Sequence, residues 1–358
     1  PWAGGWKRGE AVKRSTSPSR GGIPAKAETG GVGMELERVS EHAWAHVSPA
    51  YRFCDANSGF VAAAPGVVVD TQSDLAHARA LRDAIAAVRP DPPGYVVNTH
   101  EDLDHVFGNQ VFDGAEVVGH RSLPARLPKA ASPIRMRRTL EYSRNKLARL
   151  ALKLFGPGPL AAIDQLGDDY DFTGVELVKP TRLVDDRLTL ELDGLALELT
   201  HVGPAHQEGD LLVHLPAEEV LFAGDVVFKD ATPIGWRGTF ADWRRALDVI
   251  EAKAPARIVP GHGPVCGLDG VADTRAYIDH VEGAARPLFD AGVPALEAAK
   301  RIPLERFADW HCPARLYANV QRAYRGFRGD PPDAAWDFLD LFNGMHKLAR
   351  ARELPVEY

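Results

Sequence analysis

Two imidazoles and three carboxylates are crowded into the six residues from His100 to His105. They directly follow residues 94–98, an apolar run that is typical of a buried strand. Carboxylates and imidazoles packed at this density are costly to bury unless a cation pairs them. On a tight loop, His100 and Asp102 can face one point while Asp104 and His105 face a neighbouring point. The segment therefore predicts ligands for two metal ions that lie a few ångströms apart.

Three later segments carry further ligand-type side chains, each after a run that is typical of a strand. His206 follows residues 195–200, Asp225 follows residues 220–222, and His262 follows residues 257–259. Glycines next to these side chains permit a close approach of the backbone. Polar side chains that follow strand ends collect where an α/β sheet opens its site. We therefore expect all three to join the cluster at residues 100–105.

In this order, the four segments resemble the metallo-β-lactamase superfamily, whose first motif is usually HxHxDH. The resemblance covers residues 59–267. It implies seven metal ligands in three roles: His100, Asp102 and His206 for a first ion, Asp104, His105 and His262 for a second ion, and Asp225 as the bridge between them. The segments around His206 and Asp225 are also similar to the hydrolase branch that contains glyoxalase II-like thioesterases and lactonases.

Asp102 departs from the family's motif, which has histidine at this place. A carboxylate adds negative charge and a harder oxygen donor, which weakens the preference for zinc and favours iron or manganese. Flavodiiron proteins and certain di-iron oxygenases resemble HxExDH, with an acid here, although Asp is shorter than Glu. The expected cofactors are two divalent metal ions, zinc first, with iron or manganese as the alternatives.

Hydrolysis is the leading hypothesis for the function of such a centre. A metal-bridging hydroxide, oriented by Asp104, would attack the carbonyl carbon of a thioester, a lactone or another ester. The first alternative is a non-heme di-iron oxygenase or oxidase on the same fold, which Asp102 favours. The second is a metal-poor binding protein, and the intact His206, Asp225 and His262 argue against it.

The pattern of the remaining elements predicts an α/β fold, the four-layer αββα metallo-β-lactamase sandwich with a helical insertion and a helical C-terminal extension. Residues 59–64 and 66–70 are typical of a hairpin, and Asp74 is expected to cap a helix over residues 75–88. Five strands are expected between residues 182 and 222, followed by a helix over residues 240–253. Two β-rich halves, each ending in ligand-type residues, indicate the sandwich.

Three segments are expected along the chain. Residues 1–33, rich in Gly, Pro, Ser and basic residues, are predicted to be a disordered tail. Residues 34–267 form the predicted catalytic domain, with a basic amphipathic insertion at about 132–155 that is either a lid or a solvated packing helix. Residues 268–358 are predicted to be a mainly helical extension packed on that domain, its aromatic side chains serving as core or as a pocket wall.

Composition limits the partners. A net charge of −7 gives no general attraction for nucleic acid, and no apolar run of membrane-spanning length occurs, so neither partner is expected. Three widely spaced cysteines match no metal-binding or disulfide pattern, which favours a cytoplasmic protein. The expected partner is a small-molecule substrate, and the arginines of the insertion favour an acyl-thioester. The sequence leaves the oligomeric state open.

Overall fold

The structure is a computed structural model that describes residues 33–130 and 132–358. The predicted tail, residues 1–33, therefore lies outside the described residues except for Gly33. The strands of the described part are β1 (Glu37–Arg38), β2 (Ala43–His46), β3 (Ser58–Val61), β4 (Val67–Val69), β5 (Tyr95–Val97), β6 (Glu116–His120), β7 (Arg182–Val184), β8 (Arg187–Leu192), β9 (Leu195–His201), β10 (Leu211–Leu215), β11 (Val220–Phe228) and β12 (Arg257–His262).

The helices of the same part are α1 (Leu75–Val88), α2 (Leu103–Val106), α3 (Leu123–Ala130), α4 (Pro133–Ser143), α5 (Lys146–Leu152), α6 (Pro157–Asp169), α7 (Phe240–Lys253), α8 (Leu268–Asp290), α9 (Ala295–Arg301), α10 (Leu316–Arg328) and α11 (Phe338–Arg352). None of these helices is both long and apolar enough to cross a membrane.

The strands form two sheets. The first sheet has the order β1-β2-β3-β4-β5-β6-β7, antiparallel from β1 to β4 and parallel from β4 to β7. The second has the order β12-β11-β10-β9-β8, antiparallel except for the parallel pair β11 and β12. The parallel strands β5, β11 and β12 carry or precede six of the seven predicted ligands, and His206 follows the antiparallel strand β9.

Alternation along the strands builds the layers. Val67 and Val69 of β4 point between the two sheets, while Val68 points outward against α1, because successive side chains of a strand face opposite sides. In the second sheet, Val213 points inward and Leu212 packs outward in the core that α7, α8 and the C-terminal helices share. The arrangement is the predicted αββα sandwich.

Most predicted elements are confirmed with small changes of boundary. The 59–70 hairpin is β3 and β4, and the helix over residues 75–88 is α1, whose first turn is capped by Asp74. The predicted strand at 220–222 extends to Phe228, because irregular pairing around Gly224 lets it continue beside β12. The basic insertion is two helices rather than one, since Asn145 ends the first segment and caps α5 with its side chain.

The three cysteines are buried and unpaired, in agreement with a sequence that shows no disulfide pattern. The aromatic side chains of the C-terminal extension were expected to form either core or the wall of a pocket, and they differ in this respect. Tyr317 and Tyr324 are buried in the core around α8, whereas Phe338 is about half exposed at the start of α11. The extension therefore supplies core mainly through α10, while the start of α11 presents an aromatic side chain to solvent.

Candidate metal centre

Seven side chains from four separate segments meet at one point of the sandwich. The loop after β5 and the short helix α2 supply four of them, the loop after β9 supplies one, and β11 and β12 supply one each: His100, Asp102, Asp104, His105, His206, Asp225 and His262. All are deeply buried except Asp102, whose side chain is 19% exposed. Access from solvent therefore lies on the Asp102 side.

The first set of ligand atoms belongs to His100, Asp102 and His206, which lie within 4.8 Å of one another. Nε2 of His206 is 2.9 Å from Oδ2 of Asp102, and Nε2 of His100 is 3.9 Å from the same oxygen. Ligands of a tetrahedral ion with bonds of about 2.1 Å lie about 3.4 Å apart. The two distances to Oδ2 of Asp102, 2.9 and 3.9 Å, lie on either side of this value.

The second set consists of Asp104, His105 and His262, and Asp225 lies between the two sets. Oδ2 of Asp104 is 3.6 Å from Nε2 of His105 and 3.5 Å from Nε2 of His262. Asp225 places Oδ1 at 3.3 Å from Nε2 of His105, and Oδ2 at 3.4 Å and 3.5 Å from Nε2 of His262 and of His206. One carboxylate thus reaches histidines of both sets, as expected of a bridging ligand.

In three of the histidines, the hydrogen bond of Nδ1 determines which ring nitrogen carries the proton and which one can bind a metal ion. Nδ1 of His206 lies 2.7 Å from the carbonyl oxygen of Ile234, which can only accept, so this nitrogen carries the proton. Nδ1 of His105 lies 2.8 Å from Oδ2 of Asp70, and Nδ1 of His100 lies 3.0 Å from Oγ1 of Thr99. In the neutral rings, the three Nε2 atoms therefore present lone pairs to the carboxylates.

Lone pairs that face carboxylate oxygens in a buried site require a positive charge between them. Within the described residues, Nε2 of His100, Nε2 of His105 and Oδ1 of Asp225 are buried and have no hydrogen-bond partner. Burial acts against a charged His206, yet the carboxylates of Asp225 and Asp102 outweigh it and raise the pKa of His206 to about 9. The donor set and its demand for positive charge fit two divalent metal ions.

Asp102, the departure from the usual motif, has partners of its own. Burial opposes its charged form, but the hydrogen bond and charge of His206 outweigh this and lower the pKa of Asp102 to about 2. The indole Nε1 of Trp236 donates to Oδ2 of Asp102 at 3.0 Å, and the amide of Gln207 donates to Oδ1. Asp102 is therefore held as a carboxylate with Oδ2 directed at the two histidines of its set.

The segment that carries His206 is positioned by two buried charges that the sequence did not single out. Oδ2 of Asp210 accepts the backbone N–H groups of residues 205, 206 and 207 at 3.0, 2.7 and 2.9 Å. Arg322 of α10 donates to the carbonyl oxygen of Ala205 and lies over the ring of Trp243. The C-terminal extension therefore helps to fix a ligand of the first set.

Two neighbouring acid and imidazole groups stay outside the ligand sets. Glu101 is buried and turned toward Arg126, whose Nη1 lies 3.8 Å from Oε1, and burial followed by the charges of Asp102 and Asp210 raises the pKa of Glu101 to about 8. His201 stacks on His120 with ring centroids 3.8 Å apart. Both side chains therefore have partners other than the seven side chains of the centre.

Close backbone approach is required at Gly261, beside Asp225. A Cβ atom at this position would lie 1.9 Å from Oδ1 of Asp225, so any side chain would displace the carboxylate. This explains why a glycine precedes His262.

Asp70 supports the second set from behind. It accepts the Nδ1–H of His105 and the hydroxyl of Thr99 at 2.8 and 2.7 Å, and it directly follows β4 in the left-handed region, with φ +60°.

Asp70→Asn should weaken metal binding about 10- to 100-fold, because the amide N–H group that replaces one carboxylate oxygen repels one of these donors, and the His105 ring is then no longer held in place. Chelator competition measures this, with Asp74→Asn, which conserves the cap of α1, as the control. Equal affinities for Asp70→Asn and the wild type would contradict this role.

Comparison with known proteins agrees with the geometry. A family model described as the metallo-beta-lactamase superfamily matches residues 51–262, more than half of the chain. Metallo-beta-lactamase type 2 of Bacteroides fragilis is 36% identical over 110 residues, which are 28% of this chain and 43% of that protein. Acyl-coenzyme A thioesterase MBLAC2 of Homo sapiens is 28% identical over 101 residues, which are 26% of this chain and 36% of that protein.

The matches therefore span less than half of the length of these curated relatives. Among solved structures, the stereoselective inverting sec-alkylsulfatase Pisa1 from Pseudomonas sp. aligns over 83% of this chain and 50% of its own, with a TM-score of 0.60 and 20% identity, which is a likeness of fold. The family match covers the segments that carry all seven candidate ligands. The chain belongs to the metallo-beta-lactamase superfamily.

Proposed function

We propose that the chain is a dinuclear metal-dependent hydrolase that acts on a carbonyl ester or thioester. The observation that carries the proposal is the position of Asp225, whose carboxylate oxygens lie 3.3–3.5 Å from histidines of both ligand sets. Two divalent ions held by these residues would lower the pKa of a shared water toward neutrality and polarise a substrate carbonyl. Membership of the glyoxalase II-like branch and a cytoplasmic location stay predictions.

Asp104 is the residue that we expect to orient the attacking water. Its Oδ2 faces His105 and His262, and among the described residues no donor hydrogen-bonds its carboxylate. A carboxylate oxygen without a protein donor can accept a hydrogen bond from a water molecule and so fix the orientation of that water. Asp104 would therefore bind the second ion and direct the water toward the carbonyl carbon.

An aromatic cluster next to Asp102 supports an apolar group on the substrate. The ring of Trp236 lies 5.8 Å from that of Phe53, 6.0 Å from Trp336 and 5.6 Å from the half-exposed Phe338. Because Asp102 is the most exposed of the seven side chains, a substrate that enters on this side would pass close to Trp236, which hydrogen-bonds to Asp102. An acyl chain fits such a surface, and the similarity to acyl-coenzyme A thioesterases supports a thioester.

The function is tested by assaying acyl-thioesters, aryl esters and lactones of matched chain length, before and after removal of metal with a chelator. We expect turnover of at least one of these classes, its loss on chelation, and its return when metal is added back. Longer acyl chains should be preferred over acetyl. Absence of metal-dependent hydrolysis across all three classes would contradict the proposal.

A di-iron centre that activates oxygen is the second candidate, and Asp102 is the observation that favours it. Its carboxylate is fixed by Trp236 at the first set, where the family's pattern has histidine, and oxygen donors favour iron over zinc. Oxygen consumption by the iron-loaded protein separates the two functions. Hydrolysis without oxygen uptake supports the first proposal, and substrate-dependent oxygen uptake supports the second.

A further inference from the structure

The helical insertion exposes a concentration of large apolar side chains. In α5 and the turn that follows it, Leu147, Leu150 and Leu154 are 79%, 63% and 88% exposed. Their spacing of three and four residues places them on one side of the helix. Exposed apolar side chains grouped in this way mark an interaction surface rather than an ordinary solvated face. We call this surface the insertion face; it consists of Ile134, Tyr142, Leu147, Leu150, Leu154 and Phe155.

The same segment has a charge opposite to that of the chain. Residues 133–155 contain seven Arg or Lys residues against the single acid Glu141, in a chain whose net charge is −7. Arg137 pairs with Glu141, and Arg149 pairs with Asp164 of α6. The other five basic side chains are exposed and have no ion pair within the described residues: Arg135, Arg138, Arg144, Lys146 and Lys153.

Exposed apolar side chains continue from the insertion face toward the metal centre. Asn343 of α11 donates to the carbonyl oxygen of Phe155 at 2.6 Å, one helical turn from the exposed Leu339. Phe338, which is 51% exposed, contacts Trp236, and Trp236 donates to Asp102. The face is therefore connected to the surroundings of the candidate site.

From this combination we infer that the insertion face binds the surface of an anionic phospholipid bilayer. Leucines flanked by Lys and Arg suit the interface, because the apolar side chains enter the headgroup region while the cations meet lipid phosphates and carboxylates. A second copy docked by the same face would oppose two sets of exposed cations, since a twofold interface pairs each patch with itself. The sequence expectation of no membrane partner rested on the lack of a spanning segment, which does not bear on surface binding.

Vesicle sedimentation tests the inference without any turnover, so its result does not depend on the proposed hydrolase activity. The full chain is mixed with vesicles of phosphatidylcholine alone, or of phosphatidylcholine and phosphatidylserine in equal parts. We expect binding to the mixed vesicles and little binding to the neutral ones. The triple variant Leu147→Ser/Leu150→Ser/Leu154→Ser should bind the mixed vesicles about 100-fold more weakly, because three apolar side chains no longer enter the bilayer.

A matched control removes exposed leucines from outside the insertion. Leu183 and Leu268 are 47% and 40% exposed, and Leu183→Ser/Leu268→Ser should bind as the wild type does. Reversing charge with Arg138→Glu/Lys146→Glu/Lys153→Glu should abolish the preference for phosphatidylserine. Circular dichroism of each variant verifies folding.

Three outcomes would overturn the inference. The first is a wild-type chain that binds neither kind of vesicle. The second is a leucine triple variant that binds as tightly as the wild type, which would mean that charge alone attracts the chain. The third is a dimer in sedimentation velocity that the leucine substitutions dissociate, which would assign the face to a second copy.

Discussion

Asp225→Ala should release both metal ions and reduce hydrolysis by roughly 1,000-fold or more, because the bound ions supply several kcal/mol of transition-state stabilisation. The carboxylate of Asp225 is buried and faces His105, His206 and His262 at 3.3–3.5 Å. Without it, two cations would repel each other with no shared anion between them. Metal content by mass spectrometry and the rate of hydrolysis are the two readouts.

Asp248→Ala is the control for this variant, since it removes an exposed carboxylate from α7 whose one ion-pair partner among residues 33–130 and 132–358 is Arg275. It should retain the metal content and activity of the wild type. An Asp225→Ala protein that kept both ions and full activity would show that Asp225 is not a bridge. Loss of one ion alone would assign Asp225 to a single set.

Asp102→His should shift metal preference toward zinc, with the ratio of bound zinc to bound iron rising about tenfold when both are supplied in equal amounts. The substitution replaces an oxygen donor by the nitrogen donor that the family's motif usually carries at this place. It also removes the acceptor of the Trp236 indole N–H, which now points at Oδ2 of Asp102 at 3.0 Å. The ratio is measured by mass spectrometry after dialysis.

Asp102→His/Trp236→Phe separates these two effects. The Phe ring conserves the aromatic packing against Phe53 and leaves no buried N–H without an acceptor, so the double variant should bind more metal than Asp102→His alone. An unchanged zinc-to-iron ratio in both variants would mean that the carboxylate does not set metal preference. In that case, Asp102 gives no reason to expect iron at this centre.

The sequence predicted which side chains meet at the candidate metal centre, because their signal is local. His100 to His105 lie in one hexapeptide after an apolar run, and His206, Asp225 and His262 each follow a run typical of a strand. The apolar runs at 67–69 and 211–215 are local signals of strands in the same way, although the three consecutive valines at 67–69 do not show which side chain enters the space between the sheets. Both kinds of pattern can be read within about ten residues, which is the range over which strand and helix periods are visible.

The supporting residues could not be found in this way, because their role depends on contacts between distant segments. Asp70 reaches His105 across 35 positions, Trp236 reaches Asp102 across 134, and Arg322 reaches Ala205 across 117. No local pattern distinguishes such an Asp, Trp or Arg from a residue of the core or of the surface. The glycine at position 261 carried a weak signal, since it directly precedes a ligand-type histidine.

A helix break and two short interior strands of the first sheet were also missed for physical reasons. Asn145 interrupts a continuous amphipathic pattern by accepting the backbone N–H groups of residues 147 and 148, which local periodicity does not reveal. β2 and β6 are short, at four and five residues, and obtain their hydrogen bonds from neighbouring strands. Tertiary pairing rather than intrinsic preference establishes them.

The metal content of the purified wild-type chain is the most direct test of whether the seven side chains hold two metal ions. The protein is prepared without added metal and analysed by inductively coupled plasma mass spectrometry together with its visible absorption spectrum. We expect about two divalent ions per chain, as a dinuclear centre requires. Fewer than about half an ion per chain, unchanged after incubation with zinc or iron, would contradict a centre built from the seven ligands.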